Sequence, residues 1–260
     1  MTATREDRIR QVGVTLSEIF CIVGTLVGVG VIGTRVEESS GGALAADATL
    51  LAPATRAFSI WSVIYVGLLA YVVWQWTPRA TTSPRARAIG WWAAASMVLN
   101  AVWLLVTQQG WIWLSVAVIL ALVVVLGVLV RKLTEAPSSG RLETVVVDGT
   151  FGLYLGWVSV ATCANIAAAG VASGLTLGSA DPWIAALVAL VAGGLGVFLA
   201  RRFGGRVAIA AAMAWGLVWI AVGRFVGQPV STVTGIAAVA AAVAVVAAVP
   251  LFRGRRLTPG

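Results

Sequence analysis

Residues 111–130 read WIWLSVAVILALVVVLGVLV, a run of twenty residues that contains no charged side chain. A helix of about 20 apolar residues crosses the hydrocarbon core of a bilayer, which is about 30 Å thick. Polar turn residues at 108–110 precede this run, and Arg131 and Lys132 follow it. The run therefore predicts a transmembrane helix whose two ends are both marked in the sequence.

The rest of the chain has the same apolar character. Of its 260 residues, 60% are hydrophobic and only 11% are charged, and the mean hydropathy is +0.96. A soluble domain carries about 25% charged residues, so these values exclude a water-soluble protein. Similar runs predict eight spans, at 12–34, 58–76, 89–107, 111–130, 145–171, 183–200, 207–223 and 232–252. We therefore predict an all-α fold, a polytopic α-helical integral membrane protein with about eight transmembrane helices.

The basic residues alternate between the two sides of the predicted spans. Arg35, Arg56 and Arg224 fall on one side. The other fifteen share the opposite side: Arg5, Arg8, Arg10, Arg79, Arg85, Arg87, Arg131, Lys132, Arg141, Arg201, Arg202, Arg206, Arg253, Arg255 and Arg256. Because basic loops stay in the cytoplasm, we predict that both termini are cytoplasmic, in a bacterial cytoplasmic membrane. The net charge of +8 thus reports topology, and we expect lipids but no nucleic acid as partners.

The chain contains no histidine, and its two cysteines, Cys21 and Cys163, lie in apolar runs. Histidine is the usual general base and the commonest metal ligand. We therefore expect no metal site, no catalytic residues and no required cofactor, and we do not expect an enzyme. The first predicted helix exceeds the roughly 7–15 apolar residues of a signal peptide, which favours a retained helix over cleavage near Ala43-Leu44-Ala45.

The twelve tryptophans divide into two groups. Six are expected at the membrane interfaces: Trp74, Trp76, Trp91, Trp111, Trp113 and Trp183. Amphipathic indole rings are enriched there, so these six need no other function. The other six are deeper or lie near polar residues: Trp61, Trp92, Trp103, Trp157, Trp215 and Trp219. These are the candidates for a ligand site.

Helical periodicity places several of the deeper aromatic residues beside polar ones. Tyr154, Ala161 and Asn165 fall within about 20° of one line on the fifth helix, with Trp157 to one side. Gly152 and Gly156 occupy the opposite face with the spacing of a helix-packing motif.

Two other predicted helices show the same combination of aromatic and polar residues. Trp92, Ser96, Asn100 and Trp103 share an arc of about 80° on the third helix. Trp61 and Tyr65 form an i,i+4 pair on the second. The predicted topology brings these groups together in the outer half of the membrane.

The predicted ligand site therefore draws on three helices. Its residues are Trp61, Tyr65, Ser96, Asn100, Trp103, Tyr154, Trp157, Ala161 and Asn165. Aromatic rings with a few amides suit a flat, largely apolar ligand. The alternative is that Asn100 and Asn165 only form hydrogen bonds between helices.

Three blocks of the sequence resemble a known family. FSIWSVIY at 58–65, LNAVW at 99–103 and YLGW at 154–157, with Asn165 following, resemble helices 2, 3 and 5 of the TspO/MBR family of tryptophan-rich sensory or translocator proteins. The resemblance covers about 12–171, the whole five-helix fold of that family. Leu153 stands where the family has a proline, which puts a kink there in doubt.

The resemblance implies a function. It implies a membrane sensor or transporter that binds tetrapyrroles, protoporphyrin or haem, in a pocket between helices 2, 3 and 5 under the 34–57 loop. In this interpretation 1–174 is the five-helix domain. Residues 175–260 are an accessory three-helix bundle, which stabilises the first five helices or forms a homodimer.

Two other functions stay open from the sequence. One is a proton-coupled secondary transporter of a small hydrophobic solute, in which Glu18 and Asp148 carry protons. The other is a structural subunit of a membrane complex. We expect Glu18 and Asp148 to lie near the cytoplasmic interface, where they could pair with Arg79, Arg131 or Lys132. Arg224 is expected to anchor the opposite interface.

Overall fold

The computed structural model describes residues 3–253, so the topological role predicted for Arg255 and Arg256 lies outside the described residues. Within this range the chain forms helices and no strands, and eight helices are long and apolar enough to cross a membrane. They are α1 (Arg5–Gly28), α2 (Ile60–Gln75), α3 (Pro84–Gln108), α4 (Ile112–Glu135), α5 (Thr150–Ala172), α6 (Asp181–Arg202), α7 (Val207–Val226) and α8 (Thr232–Phe252). The prediction of an all-α polytopic membrane protein is confirmed.

The predicted bounds of the first helix, 12–34, are wrong at both ends. The helix begins at Arg5 because Thr4 and Asp7 form a capping box, in which each side chain accepts a hydrogen bond from the other residue's backbone nitrogen. It ends at Gly28, since Gly30 and Gly33 adopt φ values of 77° and 86° that a right-handed helix does not contain. The prediction from the apolar run therefore omitted the polar first turns of the helix and included the glycine-rich turn that follows it.

The helices pack in a simple order. α1 packs along α3, α3 against α4, and α4 against α5, while α2 contacts α1 and α5. α6 and α7 both pack against α8, and this set of three joins the first five mainly through contacts between α5 and α7. Small residues permit that contact, because a Cβ atom at Gly156 would lie only 2.9 Å from the Cβ atom of Ala212. The predicted packing face of Gly152 and Gly156 is thus confirmed.

The basic residues gather at one end of the bundle, which we call the arginine-rich end. It contains Arg10, Arg85, Arg131, Arg206 and Arg253. The opposite end, the loop end, carries the connection between α1 and α2. This connection includes short 3₁₀ segments at Ser40–Gly42 and Thr55–Ser59. It folds back over the helices, and Val36 and Leu51 are buried in the core.

An ion-pair network at the arginine-rich end corrects the partners predicted for Asp148. Its Oδ1 lies 2.6 Å from Arg85 and 2.5 Å from Arg206, rather than pairing with Arg79, Arg131 or Lys132. Arg85 also contacts Glu143 at 2.7 Å. Asp148 belongs to the π-helical segment Thr144–Gly149 that leads into α5. The chain thus departs from α-helical geometry before Leu153, the position where the resembled family has a proline.

Two other predictions about charged residues are wrong. Glu18 lies midway along α1, is buried, and has no basic partner among the described residues. The error follows from the misplaced start of α1, which put Glu18 near the membrane surface. Arg224 is fully buried instead of lying at an interface. Its guanidinium turns inward because backbone carbonyl groups of the folded-back loop lie within hydrogen-bond distance.

Candidate functional site

An inner cavity of about 40 Å³ lies between α2, α3, α4 and α5. Seven of the nine predicted site residues line it: Trp61, Tyr65, Asn100, Trp103, Tyr154, Trp157 and Ala161. They come from α2, α3 and α5, as the helical periodicity predicts. A spacing of four residues places Trp61 and Tyr65 on the same face of α2. The same spacing places Trp157 and Ala161 on one face of α5.

An outer cavity of similar size lies above the inner one, toward the loop end. Asn165, the eighth predicted residue, lines this cavity instead of the inner one. Loop residues form its roof: Val36, Ala43, Leu44, Thr49, Ala52 and Pro53. The two cavities share a wall of four side chains, Phe58, Trp103, Trp157 and Ala161. The α1–α2 connection therefore covers the outer cavity, and these roof residues all fall within the predicted 34–57 segment.

The ninth predicted residue, Ser96, lines neither cavity. Its side chain is fully buried, and its hydroxyl donates a hydrogen bond of 2.8 Å to the carbonyl oxygen of Ala93 on the same helix. Its own carbonyl oxygen accepts a hydrogen bond of 3.2 Å from the Tyr154 hydroxyl. Ser96 thus orients a cavity residue through its backbone. Trp92, on the same arc of α3, also lines neither cavity.

Each site asparagine binds across helices and also faces a cavity. The Asn100 amide nitrogen donates to the Tyr65 hydroxyl at 3.0 Å, which ties α3 to α2. The carbonyl oxygen of the same amide forms no hydrogen bond with the described residues. The Asn165 amide oxygen accepts a bond of 2.8 Å from the Trp103 indole nitrogen. Both asparagines thus form interhelical hydrogen bonds, and each also lines one of the two cavities.

The aromatic rings meet edge to face. The ring centroids of Trp61 and Trp103 are 6.3 Å apart with an interplanar angle of 84°. Phe58 contacts Trp61 at 5.3 Å and Trp157 at 5.8 Å, both in T-shaped geometry. Such contacts are favourable because the positive edge of one ring meets the negative face of another. Phe58 was missed from the sequence, although it lies three residues before Trp61 in the quoted block.

The linings of both cavities are uncharged in the described part of the chain. Residues 3–253 also contain no cluster of three His, Cys, Asp or Glu side chains that could hold a metal ion. Cys163 lines neither cavity, and its thiol lies 3.7 Å from the carbonyl oxygen of Ser159. The site is therefore suited to an apolar ligand that is bound by ring contacts and a few neutral hydrogen bonds.

Most of the sequence matches a known protein family. The sequence model of the family described as TSPO-like protein matches residues 15–249. The chain belongs to the TSPO-like family. No curated protein and no solved structure matches it significantly. Membership identifies a polytopic membrane protein and supports a general role in sensing, binding or transport.

The match extends through α6, α7 and α8, whereas the resemblance seen in the sequence covers about 12–171. In this TSPO-like chain α7 contacts the covering loop directly. The Trp215 indole nitrogen donates to the carbonyl oxygen of Ala57 at 2.9 Å, and the backbone nitrogen of Ala54 donates to that of Trp219 at 3.1 Å. The C-terminal helices therefore hold the segment that carries Phe58.

Arg224 at the end of α7 binds the same loop of the TSPO-like protein. Its guanidinium donates hydrogen bonds to the carbonyl oxygens of Thr49 at 3.0 Å, and of Ala46 and Gln228 at 3.1 Å. No sequence pattern indicates this contact, because Arg224 and Thr49 are 175 positions apart. Arg224 thus fixes the part of the loop that roofs the outer cavity.

Proposed function

We propose that this TSPO-like protein binds flat, hydrophobic ligands of the tetrapyrrole class, such as protoporphyrin or haem, and acts as a sensor or transporter for them. The observation that carries the proposal is the convergence of seven predicted site residues from three helices on one cavity. Indole and phenol rings offer stacking surfaces, and the Asn100 carbonyl oxygen can accept a hydrogen bond from a pyrrole N–H.

The size of the cavities defines what must move during binding. Each cavity has a volume of about 40 Å³, and a tetrapyrrole is much larger than that. Only the shared wall separates the two cavities, and Phe58 of that wall belongs to the short 3₁₀ segment before α2. In our proposal Phe58 and the loop move together, so that the cavities merge into one cleft that is large enough for the ligand.

A metal-free porphyrin fits the proposal better than haem. The chain has no histidine, which is a common axial ligand of haem iron. The cavity linings described here also offer no carboxyl or imidazole group for acid–base chemistry. We therefore propose binding without chemical conversion and without a required cofactor. The arginine-rich end faces the cytoplasm in this proposal, so the ligand enters from the opposite side.

The test is a titration of the full-length protein in lipid nanodiscs with protoporphyrin. The porphyrin absorbance shift and the quenching of tryptophan fluorescence report binding. We expect the double variant Trp103→Phe, Asn165→Ala to lose at least about tenfold in affinity, which corresponds to about 1.4 kcal/mol. Trp183→Phe is the matched control, because Trp183 is 67% exposed and lines neither cavity. Wild-type affinity in the double variant would show that the cavities are not the site.

A second candidate function is proton-coupled transport of a small hydrophobic solute. The buried Glu18, which has no partner among the described residues, favours it. Asp148 does not, because Arg85 and Arg206 already bind it. Uptake into vesicles would depend on a pH gradient in the wild type and lose that dependence in Glu18→Gln. Equal gradient dependence in both proteins would exclude this function for Glu18.

A further inference from the structure

A row of buried polar side chains follows the contact of α1 with α2 and α3, beginning at the arginine-rich end. We call it the polar seam; it consists of Arg10, Gln11, Gln75, Thr81 and Glu18. All five side chains are at least nine-tenths buried. The seam begins at Thr81, next to the short turn between α2 and α3, and reaches Glu18 midway along α1. Small and neutral polar residues are common at helix contacts in membranes, but ionisable side chains such as Arg10 and Glu18 are rare there.

Hydrogen bonds connect the first four members. The Gln11 amide nitrogen donates to the carbonyl oxygen of Gln75 at 2.7 Å and to the Thr81 hydroxyl at 2.9 Å. The Gln75 amide nitrogen donates in return to the carbonyl oxygen of Gln11 at 3.2 Å. Arg10 donates to the carbonyl oxygen of Thr81 at 2.9 Å. These bonds join four polar side chains at the arginine-rich end, and Glu18 lies seven residues beyond Gln11, about 10 Å farther along α1.

The seam also contains most of the unsatisfied polar atoms of the protein. Among the described residues, seven buried side-chain nitrogen and oxygen atoms lack a hydrogen-bond partner, and five belong to the seam. They are Nε and Nη1 of Arg10, Oε1 of Gln75, and both carboxyl oxygens of Glu18. Buried polar atoms normally have partners, and each exception needs an explanation. Binding of water and protons along the seam would supply one.

The surroundings of Glu18 contain no positive charge that could compensate an ionised carboxylate. Its exposed fraction is 2%. The titratable side chains within electrostatic reach are Cys21 on α1, Tyr65 on α2 and Tyr154 on α5, all uncharged as ordinary thiol and phenols. Arg10 lies eight residues earlier, about 12 Å along the helix, and pairs with Asp7 at 3.6 Å. A buried, unpaired carboxylate costs several kcal/mol, so the protonated form is favoured.

The remaining charged or titratable groups on the neighbouring helices are more remote. Arg87 of α3 binds Asp7 at 2.7 Å, and Arg85 of α3 binds Asp148 and Glu143. Tyr71 of α2 packs against Phe151 with a centroid distance of 5.0 Å. Each of these groups is therefore engaged elsewhere, either at the arginine-rich end or in the core.

Glu18 also lies next to the wall of the inner cavity. Cys21 follows it after one helical turn, and the Cys21 sulfur accepts a hydrogen bond of 3.5 Å from the Asn100 amide. The same amide donates to Tyr65, and both Asn100 and Tyr65 line the cavity. The carboxyl group thus lies between the hydrogen-bonded members of the seam on one side and the candidate ligand site on the other.

We propose that Glu18 is a proton-binding site, and that it exchanges its proton with the solution at the arginine-rich end through Gln75, Gln11 and Thr81. Release breaks the O–H bond of the carboxyl group, and the proton passes to water while the carboxylate keeps the electron pair. Uptake reverses this step. Proton binding by Glu18 does not depend on which ligand the protein binds. Because Glu18 lies next to the inner cavity, gain or loss of its proton changes the charge beside that cavity.

Infrared spectroscopy of the full-length protein in lipid tests the site itself. We expect a carbonyl stretching band of a protonated carboxyl group at neutral pH, with a shift in D₂O. The band disappears in Glu18→Gln and returns, displaced, in Glu18→Asp. Glu38→Gln is the matched control, because that side chain is exposed and its removal leaves the band unchanged. Absence of the band in the wild type, or its persistence in Glu18→Gln, would overturn the proposal.

The rate at which this band shifts after transfer to D₂O tests the route. Gln75→Met removes the central amide of the seam at similar length, and we expect exchange to slow by about tenfold, equivalent to an added barrier of about 1.4 kcal/mol. Gln108→Met, at the loop end of α3, leaves the rate unchanged. Thr81→Val repeats the test if Gln75→Met does not fold. Exchange at the wild-type rate in a folded seam variant refutes the route, whether or not porphyrin binds.

Discussion

The indole nitrogen of Trp103 donates a hydrogen bond of 2.8 Å to the amide oxygen of Asn165, and this bond joins α3 to α5. The Asn165 amide nitrogen donates in turn to the Ser115 hydroxyl of α4 at 3.0 Å. One amide therefore ties three helices together at the boundary of the two cavities. Residues of the proposed ligand site also stabilise the bundle, so their contributions to ligand binding and to stability must be measured separately.

The variant Asn165→Ala removes both contacts, and we expect it to lower the free energy of unfolding by about 1–2 kcal/mol, since each interhelical bond in a membrane contributes about 0.6 kcal/mol and at most about 1.7. Unfolding by denaturing detergent measures this loss. Ser115→Ala is the control, because it leaves the bond between Trp103 and Asn165 in place. Porphyrin affinity should fall only in Asn165→Ala; an equal fall in both variants would mean that bundle stability alone controls binding.

Close packing between α5 and α7 gives a second prediction. In Gly156→Ala the new methyl group would lie 2.9 Å from the Cβ atom of Ala212, and it would also meet the backbone of Ile209. Neither neighbour can rotate away, so we expect a loss of about 1–3 kcal/mol in the free energy of unfolding. Thermal unfolding in detergent measures it.

Gly194→Ala is the matched control for this substitution. Gly194 is also in a helix, but no heavy atom lies within 4 Å of a Cβ atom built there. This variant should be as stable as the wild type or slightly more stable, because alanine is the better helix former. A comparable loss in both variants would show that the contact with α7 does not account for the effect.

Much of the site could be predicted because it depends on local periodicity. Membrane spans are long apolar runs, and a spacing of three or four residues places Trp61 with Tyr65, and Asn100 with Trp103, on one helix face. Asn165 fell in the neighbouring cavity because it lies one further turn toward the loop end of α5. The backbone role of Ser96 has no sequence signal, since any residue can supply a carbonyl oxygen.

The rest could not be predicted because it depends on contacts between distant segments. Arg224 has the sequence pattern of an interface anchor, and only the folded loop shows that its donors meet carbonyl oxygens inside the protein. Glu18 was placed near the membrane surface because the apolar run set the start of the first helix seven residues too late. The capping residues Thr4 and Asp7 indicate the correct start of α1, but they lie in a polar stretch that a search for apolar runs does not consider.

The ion pairs around Asp148 give a third prediction. Arg85 and Arg206 both bind this carboxylate, whose side chain is only 10% exposed. Asp148→Asn leaves the partly exposed Arg206 without its counter-charge and the buried Arg85 with Glu143 alone. We therefore expect a loss of about 3 kcal/mol in the free energy of unfolding, the lower end for a broken buried ion pair. Chemical or detergent unfolding of the purified protein measures it.

An exposed ion pair at the same end of the bundle serves as the control. Arg131 and Glu135 are 2.7 Å apart, but their side chains are 60% and 58% exposed. Glu135→Gln should therefore change stability by less than about 1 kcal/mol, because water and salt screen the pair. Equal effects of the two substitutions would contradict the structural role assigned to Asp148.

The final prediction concerns the loop that roofs the outer cavity. Arg224→Met removes the hydrogen bonds to Thr49, Ala46 and Gln228 while keeping a side chain of similar length. Loss of charged hydrogen bonds should favour loop opening by about 2 kcal/mol, which raises the open fraction roughly thirtyfold. Limited proteolysis and hydrogen exchange across residues 29–54 measure this opening. Porphyrin should also dissociate faster, because the roof of the proposed cleft is released. Arg56→Met, which changes an exposed arginine in the same region, should leave protection of the loop unchanged; wild-type protection in Arg224→Met would show that α7 does not hold the loop closed.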